Sequence, residues 1–198
     1  MGTGRDSVCR AAGWSRTGAK LLAAIAAGNT EGLMTAKIGS AVTAKVLQRL
    51  SGPTGVNANV AALTQPGHGS GSFDAVEVTA QNVAADIAER STALKYPVAN
   101  VYCEKIVNDL KEKFRRFSGG VQMVIELRHS QDRLDGLQDR LELYVDATMA
   151  LLNAGRGDWG DGMFYGGQYE VSFGPVKQGG RNFIQAAKVA FEIGVSKN

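Results

Sequence analysis

Gly155-Arg156-Gly157-Asp158-Trp159-Gly160 spells G-x-G-x-x-G, the lettering of a loop that cradles a dinucleotide pyrophosphate. That chemistry needs a strand before the glycines and a helix after them, so that the phosphates meet a helix N-terminus. Here a helical pattern precedes, and the glycine-rich run up to Gly167 follows, so the match reads as a product of the 25 glycines in the chain. The tripeptide Arg156-Gly157-Asp158 reads the same way, and Trp159, Phe164 and Tyr165 are expected to pack this loop onto a sheet or a partner. His129-Ser130-Gln131-Asp132 sets the residue types of a nucleophile triad side by side. Triads assemble from distant segments, so Ser130 reads instead as a helix cap. The histidines are His68 and His129, and neither sits in a carboxylate cluster, so no metal site is expected. There is no G-x-x-x-x-G-K-[ST] phosphate loop. The sequence therefore offers no catalytic, cofactor-binding or metal-ligating residue, and it reads as a non-enzyme.

The remaining chemistry is charge. Asp132, Asp135, Asp139, Glu142 and Asp146 recur at spacings of three and four, one acidic face of a helix. Leu134, Leu137, Leu141, Val145, Thr148 and Leu152 form an apolar stripe roughly 140° away, at about 100° per residue. The opposite sign is concentrated in Lys111-Glu112-Lys113-Phe114-Arg115-Arg116. An acidic face and a basic run on one chain suit a head-to-tail contact between copies. The interface expected from this reading comprises Asp135, Asp139, Glu142, Asp146, Lys111, Lys113, Arg115 and Arg116. Lys177, Gly179, Gly180 and Arg181 form a second candidate, a partner-facing loop between two strands.

These residues need elements to hold them. Ile38, Val42, Val46 and Leu50 mark an N-terminal helix that Ser51-Gly52-Pro53 ends. The stretch near 52–73 is rich in Gly, Asn, Ala and Ser and reads as a loop. Val98 to Tyr102 reads as extended after Tyr96-Pro97. Glu104 to Phe117 is ambiguous, since Ile106, Leu110, Phe114 and Phe117 have helical spacing while Phe114 to Phe117 could begin the next strand instead. Val121 to Leu127 alternates with period two, the mark of a half-buried strand. The long helix is expected over Gln131 to about Asn153, ended by Gly155 and Gly157. Gln168 to Phe173 and Phe183 to Val195 then alternate as two strands joined through Gly179-Gly180. The expected class is α+β: a small mixed or antiparallel sheet of about four strands, a long amphipathic helix packed across it, and the N-terminal helix. A doubly wound fold is excluded because strands and helices do not alternate.

Composition agrees with one globular domain and excludes two further classes. The chain has 198 residues, 44% apolar and 21% charged, with a net charge of +3, too weak a bias for a dedicated nucleic-acid binder. No apolar run approaches the roughly 20 residues a membrane-spanning helix needs. Cys9 and Cys103 lie far apart and form no C-x-x-C, which suits a reduced compartment. Residues 1–33 are rich in Gly, Ala and Arg, with one short apolar run, Leu21 to Ala27. Asp6 and Trp14 in the long lead before that run argue against a signal peptide. The segment reads as a flexible extension, with Met34 as the natural start and 34–198 as a single domain.

From Asn82 onward the chain resembles the tail terminator, or tail-completion, proteins of long-tailed bacteriophages. The resemblance rests on phrases in order: NVAADIAERSTALKYPVANVYCEKIVN, LKEKFRRFSGGVQMVIELRHSQDRLDGL, LELYVDATMALL and GGQYEVSFGPVKQGGRNFIQAAKVAFEIGV. It implies a small α+β fold and a homohexameric ring at the head-proximal end of a tail tube. Such a ring ends tube polymerisation and presents a surface to head-completion proteins of the neck. It also implies localisation in the virion, in the host cytoplasm during assembly, with DNA only passing through the lumen and no membrane contact. The family has no catalytic residues or cofactors to transfer. Another head–tail joining component, or from a different class a small nucleotide-binding enzyme, is the alternative. Residues 1–33 have no counterpart in the resemblance. A chain beginning at Met34 is expected to unfold within about 1 kcal/mol of the full chain, measured by urea titration, and a larger loss would mean that the arm packs on the core.

Overall fold

The computed structural model describes residues 37–64, 73–82 and 95–198. The expectations for residues 1–33, for Cys9 and for His68 fall outside these. Helix α1 (Ile38–Ser51) leads to α2 (Val56–Leu63), then β1 (Glu77–Thr79), β2 (Val98–Asn108) and β3 (Phe117–Gln131). Helix α3 (Leu137–Ala154) follows, then β4 (Gly157–Gly160), β5 (Met163–Phe173), β6 (Lys177–Gly179) and β7 (Asn182–Lys197). The strands form one sheet in the order β1-β2-β3-β7-β5-β4, with β6 also paired to β7. Only β1 and β2 run parallel; every other pair is antiparallel.

This overturns the expected sheet of about four strands crossed by one long helix. Strands hold 44% of the described residues and helices 28%, and the sheet has seven strands curled into a half-barrel. The added strands are β1, β4 and β6, three or four residues each, too short to show a period-two pattern. Longer strands were also under-read. Strand β2 runs on through the ambiguous segment to Asn108, with a register shift between Cys103 and Lys105, so Glu104 bulges and breaks the alternation there. Strand β5 begins at Met163 rather than Gln168, hidden by Gly166-Gly167 and a register shift between Tyr165 and Tyr169.

The helices carry two more corrections. The presumed loop near 52–73 contains α2, anchored by buried Val56 and Val60 at helical spacing. Helix α3 starts at Leu137, not Gln131, and Ser130 is not its cap. Pairing with β7 carries β3 on to Gln131, with Ser130 opposite Ile184. The Gln131 amide then donates to the Arg133 and Asp135 carbonyls at 2.7 and 2.8 Å, closing a turn that Gly136 completes at φ 74. Helix α1 ends at Ser51 as expected.

The helices cover one face of the sheet. Val121, Met123, Ile125 and Leu127 of β3 and Val189, Phe191, Ile193 and Val195 of β7 are buried there. They pack in one core with Val42, Val46 and Leu50 of α1 and Leu141, Tyr144, Val145 and Leu152 of α3. On the other face of β3, Arg128 Nε donates to Glu126 Oε1 at 2.7 Å, both side chains largely withdrawn from water. Gly180 occupies the β6–β7 turn at φ 64, where the left-handed backbone suits glycine, whereas Gly179 lies in β6, so the turn links β6 to β7 and not β5 to β7 as expected. Gly119 has a different duty: a Cβ there would run into the Val107 carbonyl oxygen, so the close approach of β2 and β3 needs the missing side chain.

His129, on the core side of β3, lies against the Tyr144 ring at 5.6 Å and near the Gln131 side chain. Burial pushes its pKa below 6.5 and Arg140 adds to the fall, while the hydrogen bond with the Gln131 side chain and the charge of Asp74 oppose it. The unfolded chain therefore takes up the proton first as pH drops, so stability held above about pH 6.5 is lost below it. Urea titrations from about pH 7.5 to pH 5 should show stability falling with pH, and less steeply in His129→Leu. Equal slopes would show that His129 is not the group responsible.

Candidate functional site

The loop of residues 109–116, between β2 and β3, is the most exposed ordered segment of the described chain. It does not form the helix that the spacing of Ile106, Leu110, Phe114 and Phe117 allowed. Phe117 opens β3 and is buried, whereas Ile106 on β2 is 46% exposed, Leu110 61% and Phe114 99%. Leu110 (φ 49) and Phe114 (φ 71) both adopt the left-handed backbone, at a cost of roughly 1–2 kcal/mol each. Such a conformation persists only where its surroundings hold it.

They do so through a web of bonds. Asn108 Oδ1 accepts from the backbone N–H of Ser118 at 3.1 Å and of Leu110 at 3.4 Å. The Asp109 N–H donates to the Ser118 carbonyl, and the Arg116 N–H to the Lys197 carbonyl. Glu112 accepts from Arg115 Nε at 3.2 Å and from the Ser196 hydroxyl at 3.0 Å, while Arg115 Nη1 reaches Asn198 Oδ1 at 2.6 Å. The loop is thus tied to the end of β7 and presents two apolar side chains on a fixed backbone.

The basic run lies in this loop, and half its charge is locally engaged. Lys111 pairs with Asp109 at 3.0 Å and Arg115 with Glu112 at 3.2 Å. Lys113 and Arg116 make no ion pair among the described residues. The acidic residues do not form one helical stripe. Asp132 and Asp135 lie in the turn before α3, and only Asp139, Glu142 and Asp146 share a face of the helix. Glu142 accepts from Gln138 at 2.7 Å.

Strand β3 separates the two charged features. Its 15 residues span roughly 45 Å at about 3.3 Å each, so Asp132 and Asp135 stand at one end and the basic loop at the other. Within one chain they do not meet. Lys177 and Gly179 belong to strand β6 rather than to a loop, and only Gly180 and Arg181 form the exposed β6–β7 turn. It lies at the acidic end, since Lys177 and Gln178 pair with Ile184 and Phe183, which on the other side of β7 pair with Ser130 and Gln131.

The remaining sequence candidates resolve as structure. The glycine motif sits at a helix-to-strand junction: α3 precedes it and the β4–β5 hairpin follows. Trp159 and Tyr165 are buried in the core, with ring centroids 5.5 Å apart, while Phe164 is exposed. Cys103 is a free thiol, half-buried, with its pKa pushed up by burial. Among the described residues no group of His, Cys, Asp and Glu is arranged to hold a metal, and no helix is long and apolar enough to cross a membrane.

Sequence reasoning missed Leu110 and Phe114 as surface residues. The available signal was their setting: Asn108-Asp109 before and Ser118-Gly119-Gly120 after are turn-forming, and the residues between are dense in charge. No protein-family model matches the chain, and no curated protein matches its sequence. Because both side chains stand in water, Leu110→Ser with Phe114→Ser is expected to leave the melting temperature in a thermal scan unchanged. A fall in melting temperature of more than about 5 °C would mean that the two side chains support the fold.

Proposed function

We propose that the chain is a ring-forming subunit that caps the head-proximal end of a bacteriophage tail tube, ends its growth and offers a surface for head joining. The order of phrases shared with tail terminators motivates the reading. The observation that carries it is the rigid loop with Phe114 almost fully exposed between unpaired Lys113 and Arg116. A side chain held in water by a strained, bonded backbone is a surface made for another protein.

Energetics assign the parts. Burying Phe114 and Leu110 against a neighbour supplies about 1.5–3 kcal/mol per side chain. Exposed ion pairs add only about 0–1 kcal/mol each, so Asp135, Asp139, Glu142 and Asp146 facing Lys113 and Arg116 set the register of the contact rather than its strength. A heterologous contact of this kind closes into a ring when its rotation divides the circle, and a closed ring offers no copy of the tube surface on which growth continues.

Native mass spectrometry and electron microscopy of the purified chain should show closed rings. Adding the chain to polymerising tail-tube protein from the same phage genome should shorten the tubes. Rings that leave tube length unchanged would favour a head–tail joining role, and a monomer at all accessible concentrations would refute the assembly reading. Reversing Asp139 and Glu142 to Lys should weaken rings most at low salt, and adding Lys113→Glu with Arg116→Glu should partly restore them.

A further inference from the structure

A second feature stands apart from the loop. Between the C-terminal ends of α1 and α3 lies a cavity of about 470 Å³, lined by Lys45, Arg49, Thr54, Leu151, Gly155 and Trp159 among others. The Arg49 guanidinium lies over the Trp159 ring, 4.3 Å from its centroid. Trp159 is itself fixed, since its indole N–H donates to the Gly155 carbonyl at 2.6 Å. Stacking on a locked ring orients the guanidinium but satisfies none of its N–H groups, and Arg49 Nε is buried with no hydrogen-bond partner among the described residues. Lys45, one helical turn earlier on the same face, has only a long 3.9 Å contact to half-exposed Asp161.

A buried N–H without an acceptor is costly, more so on a charged group, and the described residues leave Arg49 Nε without one. The ends of α1 and α3 each contribute about half a negative charge, which accounts for a cation in the last turn of α1. The two cations are offset by those two half-charges and by Asp161, so the site is near neutral and an oxyanion would be held by the directed N–H groups rather than by net charge.

We propose that this cavity binds an oxyanion, a carboxylate or a phosphate group, through the Arg49 fork and the Lys45 ammonium. A planar guanidinium offers two parallel N–H groups to either oxyanion, and the volume admits a small molecule or an acidic side chain. The inference is independent of the ring reading, since no residue of the loop or of the acidic face takes part.

Trp159 provides the readout. With Trp14→Phe as background, Trp159 is the remaining tryptophan, and its emission reports on the stacked guanidinium. Inorganic phosphate and succinate are titrated separately, with sodium chloride at matched ionic strength as control. A saturable change with at least one oxyanion and none with chloride is expected, weakened roughly tenfold or more in Lys45→Gln and in Arg49→Gln. Saturation by phosphate alone identifies a phosphate-bearing ligand, and by succinate alone a carboxylate-bearing one. Lys45 is partly exposed, so Lys45→Gln keeps the test decisive if Arg49→Gln fails to fold. No saturation, an equal response to chloride, or unchanged affinity in Lys45→Gln overturns the proposal.

Discussion

The antiparallel ladder between β3 and β7 is the constraint on which the rest depends. It pairs Phe117 with Lys197 at one end and Gln131 with Phe183 at the other, without a register shift. Each strand also serves a second neighbour: β3 holds β2 and so β1, while β7 holds β5, β6 and so β4. The register is set by side chains. With Val121 opposite Ile193, Met123 opposite Phe191 and Ile125 opposite Val189, both apolar rows face the helices. A slip by one residue would turn Lys188 and Glu192 into the core and the valines out of it. The ladder also sets the two ends of the molecule apart, which keeps the basic loop and the acidic turn from neutralising each other within one chain.

That spine was legible before the structure, because β3 and β7 both alternate with period two over many residues. The same holds for α1, whose apolar positions recur at spacing four and whose end is marked by Gly and Pro. What escaped was decided by tertiary contacts. Ser130 has the chemistry of a helix cap, yet pairing with Ile184 keeps it in the strand. Strands β1, β4 and β6 are formed by the neighbours they pair with and have too few residues to announce themselves. Helix α2 is written in Asn, Ala and Val, residues that also make loops, and its decisive feature is the burial of Val56 and Val60. The candidate site was half legible: the basic run and the acidic residues were visible as charge, but the display of Leu110 and Phe114 follows from a backbone geometry that spacing does not encode. The Arg49–Trp159 stack joins residues 110 positions apart and left no mark in the sequence pattern.

The loop and the sheet divide the work. Bonds from Asn108, Glu112, Asn198 and the end of β7 hold the loop in a conformation that Leu110 and Phe114 would not choose alone. Ordering entropy is thereby met on folding rather than on association, which favours binding. In the proposed ring contact the apolar pair would supply affinity, and the charges around it would penalise wrong orientations.

Cross-linking between copies tests this account most directly. Cysteines placed at Lys113 and at Asp135, in a Cys9→Ser, Cys103→Ser background, lie at opposite ends of β3 and are out of reach of a short bismaleimide linker within one chain. The account predicts a cross-link between residues 113 and 135 of different copies, seen as a covalent dimer and higher ladder on denaturing gels and assigned by mass spectrometry. Rings that form normally while residue 113 links only to residue 113, or to nothing, would contradict the head-to-tail contact and with it the role given to the loop.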